Sequence, residues 1–104
     1  MAQFDVYENP NQTTREEIPY LLDLQAGLLD GLVTRVVAPL ILASIIGKSA
    51  RHLNPEFIVQ DRDVVMSTAE LAGIPVRLLG KKIGSLAENR GEIIAALDFL
   101  FTGY

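Results

Sequence analysis

Phe57-Ile58-Val59-Gln60-Asp61-Arg62-Asp63-Val64-Val65-Met66 sets two short apolar runs on either side of a polar segment, and its reading decides the fold class. Runs of this kind, bounded by turn-forming residues, make antiparallel strands joined by a tight connection. Asp61-Arg62-Asp63 then reads as the turn of a hairpin, not as a metal clasp. Towards the N-terminus, Arg35-Val36-Val37-Ala38-Pro39-Leu40 is β-branched and ends near a proline, which suits a strand terminus. Residues 41–46 fit a strand or a short helix equally. Tyr20-Leu21-Leu22-Asp23-Leu24 and the alternating Gln3-Phe4-Asp5-Val6-Tyr7 read as two more strands, antiparallel across the polar loop of residues 8–17. On the other side, Gly73-Ile74-Pro75-Val76-Arg77-Leu78-Leu79 stops at Gly80-Lys81-Lys82 and is the last strand expected.

Over residues 87–101 the period changes. Ile93, Ile94, Leu97, Leu100 and Phe101 fall on one stripe of an amphipathic helix, and Gly103 suits its C-terminal cap. Phe99 with the small Ala95 and Ala96 is assigned to a different side of that helix. A helix apolar on two sides is buried twice, and small residues permit close approach, so a symmetric dimer contact is expected there. The chain is read as one α+β domain, mostly β, spanning residues 1–104, with a C-terminal helix.

Composition narrows the function. Hydrophobic residues are 49% and charged residues 21%, which is globular composition and excludes wholesale disorder. No apolar run reaches the ~18 residues of a bilayer span, and the first residues lack a secretory pattern. Cysteine is absent, which excludes disulfide scaffolds, thiol catalysis and Cys-ligated metals and fits a cytoplasmic setting. The net charge of −4 argues against a protein whose main task is gripping nucleic acid. His52 has no ligand or base partner at a workable spacing and reads as a surface residue. Gly73, Gly80, Gly84 and Gly91 form no phosphate loop. The chain is therefore expected not to be an enzyme and to need neither cofactor nor metal. Leu28-Leu29, between Gly27 and Asp30-Gly31, is balanced between a core plug and a contact surface.

Taken in order, these segments resemble the CcdB-type toxins of bacterial toxin–antitoxin modules, nearly end to end. The resemblance rests on Gln3-Phe4-Asp5-Val6-Tyr7, Asp23-Leu24-Gln25 with Leu28-Leu29-Asp30, and Arg35-Val36-Val37-Ala38-Pro39-Leu40. It continues through Met66-Ser67-Thr68, Ile74-Pro75-Val76 and residues 89–103. It implies an SH3-like small barrel of antiparallel strands with a C-terminal helix, paired as a homodimer. It further implies a toxin that binds the DNA gyrase A subunit and traps the gyrase–DNA cleaved complex. A cognate antitoxin with a disordered C-terminal arm would neutralise it, and the two would co-repress their operon, with operator DNA met through the antitoxin. The gyrase contacts carry over to Leu28, Leu29, Asp98, Phe101, Thr102, Gly103 and Tyr104. The best-known members end in Trp-Gly-Ile where this chain reads Thr102-Gly103-Tyr104, which moves the aromatic ring two residues on.

Two rival readings stand beside this one. The same barrel carries MazF-like ribonuclease toxins, which need a basic groove and an aligned base; the acidic balance and single histidine count against them. The other is a non-toxic, decayed chromosomal relative that keeps the fold without the gyrase activity.

Overall fold

The longest strand, β3 (Thr34–Leu42), is the trunk on which the sheet is built. In this computed structural model, which describes residues 1–29, 31–47 and 53–103, one side of β3 pairs with β2 (Tyr20–Asp23). Its other side is shared by two strands. The first half takes β6 (Ala72–Pro75), from Thr34 opposite Pro75 to Val37 opposite Ala72, and the second takes β5 (Arg62–Met66). β1 (Asp5–Glu8) pairs β2 and β7 (Lys82–Ser85), and β4 (Glu56–Val59) pairs β5. The order β4-β5-β3-β2-β1-β7 is antiparallel throughout the described residues. Ile58 and Val59 of one edge and Ile83 to Ser85 of the other line a single cavity of about 150 Å³, so the sheet curls into a half-barrel. The class is α+β, mostly β, as expected.

Pro39 lies inside β3 and does not end it. A strand residue points its N–H and C=O to the same side, and the Pro39 carbonyl accepts from Ser67 N–H at 3.0 Å on the side shared by β5 and β6. Its missing N–H therefore falls in the gap where one partner gives way to the other, the place a central strand tolerates proline.

The hairpin forms where expected, with its turn shifted. Gln60 and Asp61 take φ of 50° and 63°, and Arg62 pairs with Val59, so Arg62 and Asp63 are strand residues. Two central residues at positive φ make the mirror-image turn whose twist matches the flanking strands. Residues 41–46 resolve into both expected forms: strand to Leu42, then a helical turn, α1 (Ala43–Ile46). The strand expected over residues 73–79 ends at Pro75 in a 3₁₀ turn, and β7 is an additional strand not expected from the sequence.

Registers sort the side chains into rows. Val6, Leu22 and Ala38 face one another on the core side, as do Tyr20, Leu40 and Met66, and Phe57, Val64 and Leu42. These join Phe4, Leu24, Val59 and Leu86 in one apolar core, closed by α2 (Arg90–Thr102). The helix inserts Ile93 and Ala96, with Ile94 and Leu97 packed beside them. The inward arc thus differs from the expected stripe. Ala96, one turn on from Ile93, is 1% exposed in the chain's own core, so it is withdrawn from the dimer contact, while Phe101 is 70% exposed. Among the described residues no helix is long and apolar enough to cross a membrane.

Candidate functional site

Asp23 at the end of β2 and Arg35 near the start of β3 lie on the sheet face opposite the core, where neither side chain keeps any exposed surface. The Arg35 guanidinium reaches Asp23 Oδ2 from Nε at 2.9 Å and from Nη2 at 2.7 Å, and Nη2 also donates to the Gln25 carbonyl at 3.1 Å. Burial pushes the Asp23 carboxyl above its usual range, against the pull of Arg35 and of the Gln25 N–H, which donates to Asp23 Oδ1 at 3.0 Å. On the same face Asp5 accepts from the Tyr7 hydroxyl at 3.4 Å and lies 3.3 Å from Lys82 Nζ. Burial first, then the charges of Asp5 and Asp23, raise the Tyr7 hydroxyl to about 12.

From this buried base the chain turns outward. Gly27–Leu29 form one 3₁₀ turn, on which Leu28 is 99% and Leu29 49% exposed. Leu32 and Val33 follow at 51% and 81%, so the leucine pair is a surface and not a core plug. Beside it Met1, Leu32, Val33, Pro75, Val76 and Arg77 line an open groove of about 830 Å³. A run of exposed large apolar side chains this dense is the usual mark of a contact surface.

The second apolar display is the far end of α2. Its first residue is anchored: Arg90 donates to Gln3 Oε1 at 3.1 Å, its guanidinium stands 5.6 Å from the centre of the Phe4 ring, and Gln3 Nε2 donates to the Leu24 carbonyl at 3.1 Å. The helix then runs about 18 Å to its last turn at 1.5 Å per residue. Gly103 ends it at φ 78°, with its N–H donating to the Phe99 carbonyl at 3.0 Å, the left-handed cap that glycine adopts freely. Asp98, Phe101, Thr102 and Gly103 are exposed, as are Ala95 and Phe99, the latter at 39%. Ala95, Asp98, Phe99 and Thr102 share one outward side by helical spacing, so residues expected at two separate contacts are brought together. Leu28 and Leu29 stand on a different element. Tyr104, Asp30, His52 and its neighbours Lys48, Ser49, Ala50 and Arg51 lie outside the described residues.

The polar network beneath the turn is not expected from the sequence, where its one signal is an acid and a base, Asp23 and Arg35, each interrupting an apolar run on strands that pair. Among the described residues no three His, Cys, Asp or Glu side chains group as a metal site would require.

A curled β-sheet closed by a C-terminal helix, with apolar side chains displayed on a turn and a helix end, defines a small β-rich protein built around a contact surface. The family model described as CcdB protein matches residues 3–103, and the chain belongs to that family. It is thereby a toxin of the toxin–antitoxin class, with an antitoxin as its general partner.

Proposed function

We propose that this toxin binds the DNA gyrase A subunit and traps the gyrase–DNA cleaved complex. Leu28 and Leu29 on the turn and Asp98, Phe101, Thr102 and Gly103 at the helix end, with Tyr104 next in sequence, make the contact. The observation that carries the reading is the family match over residues 3–103 together with the exposure of both apolar segments in one chain. Family membership favours it over the ribonuclease reading of the same barrel.

The protein acts in the bacterial cytoplasm as a homodimer. Ala95 and Phe99 on the outward side of α2 meet their counterparts across a two-fold axis, which sets the two helix ends side by side and offers them together to the paired gyrase A subunits. A cognate antitoxin with a disordered C-terminal arm neutralises the toxin. The pair represses its own operon, with the antitoxin meeting the DNA.

One observation favours a second reading, the non-toxic relative. Thr102 stands where the best-known members have tryptophan, and its hydroxyl donates back to the Asp98 carbonyl at 2.6 Å, so no large ring leaves the helix at that position. A gyrase supercoiling and cleavage assay separates the two. The full chain should block supercoiling and accumulate cleaved DNA, and a chain ending at Phe101 should do neither. Full supercoiling with no excess cleavage by the intact chain assigns it to the second reading.

A further inference from the structure

We infer that Gln25 is a positioning residue for the Leu28-Leu29 pair, its side-chain amide fixing the turn that projects the two leucines. The inference rests on the reading that these leucines meet gyrase. Leu28 is almost wholly exposed, so no burial of its own side chain holds it in place, and its position is set by the backbone of its turn.

Four hydrogen bonds converge on Gln25, itself buried. Its backbone is held from below, the N–H donating to Asp23 Oδ1 at 3.0 Å and the carbonyl accepting from Arg35 Nη2 at 3.1 Å. Its side chain then works in both directions. Oε1 accepts from Val36 N–H at 3.1 Å, and Nε2 donates to the Leu29 carbonyl at 3.0 Å.

The Val36 bond explains how the chain leaves the sheet. β2 and β3 pair as far as Asp23 opposite Val37, and the Leu24 N–H still donates to the Val36 carbonyl at 2.9 Å. At the next step the ladder would need a backbone carbonyl for Val36 N–H, and the Gln25 side chain supplies one instead. The main chain is thereby released to turn outward without stranding a donor. The other end of the same amide catches Leu29, whose carbonyl also accepts from Leu32 N–H at 3.2 Å, and Leu29 N–H donates to Ala26 at 3.0 Å. One side chain that accepts and donates at this reach has to be a primary amide. An ionised glutamate cannot donate, and methionine cannot donate and accepts only weakly.

A turn held in its binding conformation spares the partner the cost of selecting it. If loss of the amide leaves the competent turn about a tenth populated, apparent affinity falls about tenfold. Gln25→Met keeps the shape and removes both side-chain bonds. Gyrase A binding is measured for this variant alone and in the Leu28→Ala/Leu29→Ala background, together with amide exchange at Leu29, Leu32 and, as a core control, Leu40. The expected result is about tenfold weaker binding in the native background, no further loss in the leucine-free background, and faster exchange at Leu29 and Leu32 with Leu40 unchanged. An equal loss in both backgrounds overturns the inference, because a general structural defect would ignore the leucines. If the leucine-free chain binds gyrase as the native chain does, the gyrase reading has failed and the exchange decides: protection lost at Leu29 and Leu32 sustains the positioning role, and unchanged protection removes it. Should Gln25→Met not fold, Gln25→Asn, one methylene too short to span both partners, serves for the same measurements.

Discussion

Replacing Asp23 and Arg35 singly and together should give sharply non-additive losses of stability. Both side chains are without exposed surface and meet at 2.7 Å. Asp23→Leu leaves a guanidinium that stays charged in a dry site. Breaking a buried pair from one side costs roughly 3–5 kcal/mol, and the bond from Gln25 N–H adds about 1 kcal/mol. A domain of this size holds only about 5–15 kcal/mol in all, so the variant sits near the edge of folding. Arg35→Met should be milder by more than about 1 kcal/mol, because an orphaned carboxyl can take up a proton and a guanidinium cannot.

The direction of the Asp23 titration bears on the double variant. Burial already pushes that carboxyl up although Arg35 is in contact, which means that the site charges more for ionisation than the pair returns. Two apolar side chains of similar volume remove that cost on both sides, so Asp23→Leu/Arg35→Met should lie within about 1–3 kcal/mol of the native chain, the Gln25 groups being among those left unpaired. The coupling then amounts to about 3 kcal/mol or more. Urea unfolding followed by circular dichroism at pH 7 measures all four proteins, with a common slope required before values are compared. A double variant as unstable as the sum of the singles, or singles each costing under about 1 kcal/mol, would refute the reasoning.

Three further outcomes are expected. Tyr7 is raised from 10.0 to about 12, so the folded state holds its proton longer than the unfolded state, and stability should fall by about 2–3 kcal/mol as pH rises across that window, a fall that Tyr7→Phe removes in urea melts at pH 9 and 12. A Cβ at Gly80 would lie 2.5 Å from the Glu8 carbonyl oxygen, the acceptor of the Gly80 N–H at 3.1 Å; both are backbone, so Gly80→Ala should cost about 1–3 kcal/mol in thermal unfolding, and a neutral result would show that β7 shifts freely. Phe99→Glu should yield monomers at micromolar concentration by sedimentation with the circular dichroism of the folded chain retained, whereas an unchanged dimer removes α2 from the proposed interface.

The strands were legible where one face is buried, since Val6, Leu22, Ala38 and Leu40 announce a period of two. β7 was not, because Lys82-Ile83-Gly84-Ser85 offers a single apolar side chain, and what makes it a strand is the free edge of β1 and the close passage of Gly80 along Glu8. The helix is legible and its inward side is not, for a related reason: alanine weighs little in a hydrophobic pattern, so the pattern favours Phe101 over Ala96 for the inward stripe, although both arrangements fit 3.6 residues per turn. The status of Leu28-Leu29 could not be read from local sequence at all. It depends on what fills the space beneath the turn, and Asp23 and Arg35, which fill it, stand five positions before the pair and six after it.

That space is where the molecule departs from the ordinary division of polar outside and apolar inside. Full burial of a leucine is worth about 1.5–3 kcal/mol, which the exposed Leu28 leaves unrealised. Below it, a charged pair with a costly desolvation occupies sites that apolar side chains would fill at a loss of only about 1–3 kcal/mol. Stability alone therefore accounts for neither half of the arrangement. The two halves make sense together, because Asp23 and Arg35 hold the backbone of Gln25, and Gln25 holds the turn. The apolar double variant consequently separates fold from display: it should keep the sheet and a cooperative unfolding transition, yet lose protection of the Leu29 and Leu32 amides, since a leucine and a methionine can fill the cavity but cannot grip a backbone.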